Sequence, residues 1–228
     1  VPIVLNKQRQ QPCFKNGVNM DFDKTIGGYL ENTEWKGRTD IGCLLNGCRQ
    51  MYAATQDERY QKFILQYVEK MSEEWENAFS KTDVTKKINA GSAWIFAYEK
   101  TGEEKYKEYI ERMKDDLMGL SRTAEGSLCE EGDHKKLMTG QHLYEVLPFY
   151  MEYETRYHNK AGCNDIVNQL TEMRSGKDAI WYVMALIDVL DHMSIEIFEH
   201  YKSLQEIFKK TIKCIPLGGD AKMQKVCM

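Results

Sequence analysis

Apolar residues recur every three or four positions along most of this chain, which is the spacing of helices with one buried side. The pattern begins after Asp40, a predicted N-cap, and comes in paired segments joined by short polar turns. No convincing alternation of the strand type interrupts it. The chain is therefore predicted to be all-α, with about eight helices near residues 40–52, 60–75, 90–98, 106–117, 143–157, 163–174, 177–192 and 194–213.

Two details of the pattern predict how particular helices behave. The segment 177–192 is apolar on nearly every side, which predicts an inner helix that is packed all round. Pro148 falls inside the helix predicted near 143–157 and is expected to kink or delimit it, because proline removes a helical hydrogen bond.

One helix hairpin occurs twice in the sequence. The second copy repeats the Tyr-x-x-Thr-x-acid-Glu-x-Tyr pattern of the first, and such a unit buries its inner face by stacking on its neighbours. Thr55 and Thr101 each stand three residues before a Glu, so their hydroxyls are predicted to cap the following helix. The matched positions are Tyr52, Thr55, Asp57, Glu58 and Tyr60 against Tyr98, Thr101, Glu103, Glu104 and Tyr106.

The length of 228 residues suits one large domain. We expect a helical-hairpin domain over residues 40–215, preceded by an irregular N-terminal arm over 1–39 and followed by a tail over 216–228. The arm contains four glycines and little periodicity, and little about function can be argued from it.

Charge and cysteine content exclude several classes of function. A net charge of -4 gives no basic surface for nucleic acid, and the longest apolar run, 179–189, is shorter than the ~20 residues that span a membrane. The seven cysteines form no CxxC pair and have no histidine at zinc-finger spacing, so we expect no metal. Unpaired cysteines favour a reduced, cytoplasmic compartment, but the chain begins with Val1, which leaves a processed secreted form open.

Sequence signatures of the common cofactor and hydrolase sites are missing. No glycine-rich phosphate loop, Gly-x-Ser-x-Gly or His-Glu-x-x-His motif occurs in the chain. We therefore expect no cofactor, and nucleotide-dependent, serine-hydrolase and zinc-protease functions have no support.

Three stretches, in this order, carry a resemblance to a known group of enzymes. The first is the repeated hairpin, with Ile88-Asn89-Ala90-Gly91 before its second copy. The second is Arg122-Thr123-Ala124-Glu125-Gly126, followed later by Leu143-Tyr144 and Pro148-Phe149-Tyr150. The third runs from Trp181 to Leu190. Together they resemble the unsaturated glucuronyl and rhamnogalacturonyl hydrolases of glycoside hydrolase families 88 and 105. The resemblance implies a toroid of helix hairpins, here abbreviated to about four of the usual six. It also implies a ligand made of uronic-acid oligosaccharides.

The sequence departs from these families at the positions that carry catalysis. In the families one Asp, two residues before the Leu-Tyr pair, is the general acid and base, and here that position is Gln141. A second family Asp corresponds to Lys86. An amide has no titratable proton, so Gln141 cannot replace a carboxylate. The candidates for a relocated acid are Asp83 and Glu145, which lies one turn after Gln141, although exposure to solvent is the expected environment of Glu145.

The resemblance also suggests substrate contacts and leaves alternatives open. Lys177 stands at the position of a family arginine, and His142 adjoins Gln141, so both are candidate substrate-binding residues. The leading hypothesis is a glycoside hydrolase-like protein that acts on or binds uronic-acid oligosaccharides. The alternative is a non-catalytic helical-repeat module that binds a glycan or a protein on its concave face. A homo-oligomer, in which a second copy covers inner surface exposed by the missing hairpins, is a third expectation.

Overall fold

The computed structural model describes residues 41–75, 84–172 and 178–213, all of which belong to one compact unit, Lys36–Met228. The predicted arm and tail lie outside the described residues. The described part contains nine α-helices and a short 3-10 helix at Ile195–Ile197. The helices are α1 (Ile41–Thr55), α2 (Glu58–Glu73), α3 (Val84–Asn89), α4 (Gly91–Thr101), α5 (Glu104–Met118), α6 (Gly140–Arg156), α7 (Cys163–Glu172), α8 (Ala179–His192) and α9 (Phe198–Lys213).

The helices pack as four successive hairpins. Helix α1 packs on α2, α4 on α5, α6 on α7 and α8 on α9, while α1, α4, α6 and α8 also contact one another in that order. The short helix α3 lies against α5 and α6. The all-α hairpin architecture predicted from the sequence is confirmed.

Aromatic side chains fill the core between the first two hairpins. Trp94 of α4 is fully buried and meets Tyr67 and Trp75 edge to face, with ring centroids 6.1 and 5.7 Å apart. Its indole Nε1 donates to the Ser72 hydroxyl at 3.0 Å, so the polar edge of the ring is satisfied. These contacts join α4 of the second hairpin to α2 of the first.

The turns of the two repeats have the same backbone and hydroxyl geometry. Asp57 and Glu103, the residues before α2 and α5, have φ/ψ of -76/112° and -77/114°. Thr55 and Thr101 differ from the prediction, because each is the last residue of the preceding helix. Each hydroxyl donates back into that helix and accepts the backbone N–H two residues on, at 3.2 Å in both copies. The threonines therefore link two helices, while the N-cap positions are the acidic residues.

Three expectations are corrected by the observed helices. Pro148 does not delimit α6, which continues from Gly140 to Arg156 because packing on nearly every side holds it together. Helix α8 is not packed all round, since Ile180 and Ile187 are 64% and 39% exposed. A small antiparallel hairpin, β1 (Cys129–Glu130) with β2 (Asp133–Leu137), stands where no strand was predicted. Its second strand is exposed and charged, so it carries no apolar alternation.

The segment with the most specific resemblance forms a fixed loop before this β-hairpin. Arg122 donates to both oxygens of Asp165 on α7, at 3.0 and 2.8 Å, and to the Gly126 carbonyl at 2.7 Å. Gly126 has a φ of +93°, a conformation that favours glycine. None of the described helices is both long enough and apolar enough to cross a lipid bilayer.

Candidate functional site

A cavity of about 590 Å³ opens where the starts of α3 and α6 meet the end of α5 and the β-hairpin. Helix starts supply free backbone N–H groups and helix ends supply free carbonyls, so the location offers both kinds of hydrogen-bonding group. Its walls come from Val84 and Thr85, from residues at and after the end of α5, from Cys129, Glu130 and Glu131, and from Met138 and His142.

Gln141 and Lys86, at the positions of the family acids, are each next in sequence to a residue of the cavity wall. Gln141 is the second residue of α6, and its amide Nε2 donates to Glu145 Oε1 at 3.1 Å. Lys86 is the third residue of α3 and is half-buried. Their sequence neighbours His142 and Thr85 line the cavity. The two positions therefore carry an amide and an ammonium group where the families carry carboxylates, and their shared role in a site stays a prediction.

Glu145 lies beneath the cavity wall and is not exposed as expected. Its side chain is 1% exposed because α6 packs against α3 at this point. One carboxylate oxygen accepts the Thr85 hydroxyl and the other accepts the Gln141 amide. A buried carboxylate with both oxygens bonded ties α6 to α3. As a relocated acid, Glu145 would have to act from behind Thr85.

His142 and Glu130 form the titratable pair that does reach the cavity. The imidazole Nδ1 lies 3.6 Å from Glu130 Oε1, and about a quarter of each side chain is exposed. A carboxylate beside a histidine can orient the ring. The pair can bind a sugar hydroxyl as donor and acceptor. Of the remaining candidates, Asp83 and Lys177 lie outside the described residues, and their roles stay predictions.

A second cavity, of about 440 Å³, lies near the C-terminal ends of the inner helices α1, α4, α6 and α8. Beneath it, Arg49 donates to both oxygens of Glu152, at 3.0 and 2.5 Å, and Arg156 donates to Glu152 at 3.1 Å. Burial alone would raise the pKa of Glu152, but the charge and hydrogen bonds of Arg49 outweigh it and lower the pKa to about 2. Glu152 thus stays ionised and joins α6 to α1.

Asp188 of α8 is the carboxyl with a raised pKa in this second cavity. Burial is the main cause, repulsion by Asp191 adds to it, and the pKa rises to about 6. Two nearby carboxylates are what acid–base hydrolysis requires. However, this cavity reaches Arg156 at the end of α6, about 22 Å along the helix from Gln141 at its start. Asp188 and Asp191 therefore do not take the place of the family acids.

Sequence reasoning missed the buried ion pair and most of the wall of the first cavity. The signals available were an Arg next to a buried Cys in α1 and a Glu within the apolar run of α6, since a charge on a buried helix face needs a partner. The wall residues Asp115, Asp116 and Ser121 have no local signal, because only the fold brings them to α3 and α6. In the described part of the chain, no three His, Cys, Asp or Glu side chains form a group suited to a metal ion.

The four successive hairpins define the class of the structure, a helical-hairpin fold. The family model described as Glycosyl Hydrolase Family 88 matches residues 23–178. The chain belongs to this family.

A solved structure supports the same fold. The chain is similar, with a TM-score of 0.70 and 18% sequence identity, to a glycoside hydrolase of family 105 from C. acetobutylicum ATCC 824. The likeness covers 84% of this chain and 63% of that one, so this chain spans less than two thirds of the other's length.

Proposed function

We propose that this chain binds an oligosaccharide in the 590 Å³ cavity and does not hydrolyse unsaturated uronyl sugars. Family membership and the helical-hairpin fold support a carbohydrate ligand. The observation that carries the proposal is a Glu145 that is buried and bonded at both oxygens, one of them to Gln141, beside a cavity whose neighbouring family acid positions are held by Gln141 and Lys86.

Among the described residues, none of the carboxylates that line the 590 Å³ cavity stands at the position of a family acid. Glycoside hydrolysis in its usual form needs a proton donor and a second carboxylate or an activated water on opposite sides of one bond. Glu130 reaches the cavity but is paired with His142 and Lys136. Replacement of a positioned acid–base group costs about 10²–10⁴ in rate. Binding is accordingly the activity that the geometry supports.

The test of binding uses calorimetric titration with sugars of different charge, and a variant that fills the cavity. Ser121→Trp places a large ring in the cavity wall and should abolish binding. Ser203→Trp, on the exposed side of α9, is the matched control and should bind as the native chain does. Equal binding by native chain and Ser121→Trp would place the sugar elsewhere. Absence of binding by the native chain would overturn the proposal.

The second candidate is a protein-contact surface, which the exposed apolar face of the last hairpin favours. Ile180, Ile187, Ile195 and Phe198 are all more than a third exposed, and large exposed apolar patches mark interaction sites. We propose self-association as the form of this contact. Sedimentation of native chain and Ile180→Glu tests it: a dimer that the substitution dissociates supports it, and a native monomer at high concentration contradicts it.

A further inference from the structure

The segment 122–126 has the most specific resemblance to the families, yet none of its residues lines the 590 Å³ cavity. Ser121 directly before it and Cys129 shortly after it do line the cavity, and so does Met138 beyond the β-hairpin. The segment therefore lies beside the wall without being part of it, and its role at the site has to be indirect.

Leu128 is the centre of the backbone pairing that holds this part of the wall. Its carbonyl accepts the Met138 amide at 3.1 Å, and the amide of the next residue, Cys129, donates to the Ser121 carbonyl at 3.0 Å. Leu128 also pairs with Arg122 across the loop, and its side chain is buried. Three wall residues from separate places in the sequence are thus held relative to Leu128.

Gln169 of α7 holds Leu128 from outside the cavity. Its side-chain oxygen accepts the Leu128 amide at 2.7 Å, and its Nε2 donates to the Gly126 carbonyl at 3.1 Å and to Asp165 Oδ1 at 2.8 Å. Both amide hydrogens and the oxygen are therefore used. Gln169 is 5% exposed, so removal of its side-chain amide would leave the buried Leu128 amide without a partner, which costs free energy.

Arg122 and Asp165 complete the same network at the other end of the loop. Asp165 stands one turn before Gln169 on α7 and accepts both guanidinium nitrogens of Arg122. A bidentate pair fixes the orientation of the two groups as well as their distance. Arg122 and Gln169 meet again at the Gly126 carbonyl, which accepts from both. Two residues of α7 therefore hold the beginning and the end of the loop.

We propose that Asp165 and Gln169 are positioning residues for the carbohydrate site, which set its affinity by holding Leu128 and the wall residues paired to it. Neither residue lines the cavity. A wall that is already ordered loses less conformational entropy when a ligand binds, so the network raises affinity without touching the sugar. This rests on the proposed function, because it concerns the wall of the same cavity.

Gln169→Met tests the proposal, because it removes the three side-chain hydrogen bonds with little change in volume. The probes for calorimetric titration are an unsaturated galacturonate disaccharide and a neutral galactose disaccharide. For whichever of them the native chain binds, the affinity should fall about fivefold or more, because binding must then order the wall. Asn168→Met is the matched control on the exposed face of α7 and should bind as the native chain does.

Amide hydrogen exchange separates positioning of the wall from a general loss of stability. In Gln169→Met, exchange at the Cys129 and Met138 amides should become about tenfold faster relative to exchange at the amides of α8. Gly91→Ala is the control for stability, since its added Cβ would overlap the Phe149 ring away from the cavity wall. It should show neither this relative increase in exchange nor a loss of affinity.

Asp165→Asn is a second and milder variant, which protects the test against failure of Gln169→Met to fold. It keeps the size of the side chain but removes the charge that Arg122 contacts at both oxygens. Its affinity for the same disaccharide should fall by a smaller factor, and exchange at the Cys129 and Met138 amides should rise in the same direction. Far-ultraviolet spectra establish which variants are folded.

The outcomes separate this proposal from the proposed function. Native affinity in folded Gln169→Met or Asp165→Asn overturns the positioning role and leaves sugar binding intact. A loss of affinity in Gly91→Ala as large as in Gln169→Met also overturns it, because stability alone would then explain the effect. No binding of either disaccharide by the native chain overturns the proposed function, together with the inference that rests on it.

Discussion

At the residue scale, the arginine and glutamate that join α1 to α6 show how charge is kept inside this core. Glu152 is buried, and its charge is balanced by Arg49, with Arg156 at the edge. Removal of one partner from a buried pair leaves an uncompensated charge, which costs more than the pair itself contributes. The pair joins α1 of the first hairpin to α6 of the third.

Arg49→Met should lower the free energy of unfolding by about 3 kcal/mol and raise the pKa of Glu152 from about 2. Urea denaturation at neutral pH measures the loss. Arg59→Met at the exposed pair with Asp57 is the control and should cost much less than Arg49→Met, because solvent screens the pair. A loss in Arg49→Met as small as the control's would mean that Glu152 is not held by Arg49.

Asp188 should make the stability of the folded protein decrease as the pH rises. Its pKa is raised to about 6 from an ordinary value of 3.8, so the folded state disfavours the ionised form. The contribution of protonated Asp188 to the free energy of unfolding is fully present below about pH 4, and it is lost as the pH rises through about 6. Asp188→Asn should therefore match the native chain at about pH 4 and exceed it by about 2 kcal/mol at about pH 8.

Denaturant unfolding at both pH values checks this prediction. The side-chain oxygen of asparagine can still accept the hydrogen bond from Tyr144, so the native chain and Asp188→Asn do not differ in that bond. Glu199→Gln on the exposed face of α9 is the control and should show no difference at either pH. A gain in Asp188→Asn that is the same at both values would mean that titration of Asp188 is not its source.

Single residues also show where sequence reasoning succeeded and where it failed. The all-α hairpins were predicted correctly, whereas a common site for Gln141 and Lys86 stays a prediction, because only their neighbours His142 and Thr85 line the cavity. The exposed environment expected for Glu145 was wrong, because helical spacing gives its direction on α6 but not that α3 packs against that face. Thr85, its bonding partner, is 60 residues away in sequence and has no local signal.

At the element scale, the apolar period determines which segments form helices. Small residues determine how closely two helices approach each other. Gly91 starts α4 against α6, and a Cβ there would lie 2.5 Å from the Phe149 ring. Because the ring is fully buried, it has little room to move. The repeat could be read from the sequence, whereas the β-hairpin and the continuity of α6 through Pro148 could not, since tertiary packing determines both.

Gly91→Ala should destabilise the protein by about 1–3 kcal/mol through this overlap. Gly47→Ala is a matched control in α1, because nothing lies within 4 Å of its added Cβ. It should stabilise by about 0.5–1 kcal/mol, as alanine does in a helix interior. Melting temperatures of the two variants should move in opposite directions. A shift of both in the same direction would contradict close approach of α4 and α6.

At the scale of the whole molecule, the chain keeps the hairpin fold of a glycoside hydrolase family over a shorter length. The all-α toroid type was predicted from the repeat and the resemblance together, and the family and fold comparisons confirm it. The charge of the cavity could not be predicted, because its acidic residues come from α5 and the β-hairpin. Uronic-acid specificity stays a prediction that the binding experiments decide.

Restoring the family acids tests whether they alone are missing. Gln141→Asp by itself should restore little hydrolysis, because the second position remains a cation. Gln141→Asp combined with Lys86→Asp places a carboxylate at both positions. The activity of this double variant distinguishes a chain that lacks only the two acids from one whose remaining site is also inactive. Turnover in the double variant alone would mean that the rest of the active site is still competent.

Turnover of an unsaturated uronyl disaccharide by the unmodified chain is the most direct test of the central claim. Hydrolysis abolishes the absorbance of the sugar double bond, so the rate is followed in the ultraviolet. The account predicts no loss of absorbance beyond the uncatalysed rate, because Gln141 has no titratable proton and Lys86 is a cation where the families carry a carboxylate. Rapid loss that Glu145→Gln or Asp83→Asn abolishes would contradict it and identify a relocated acid.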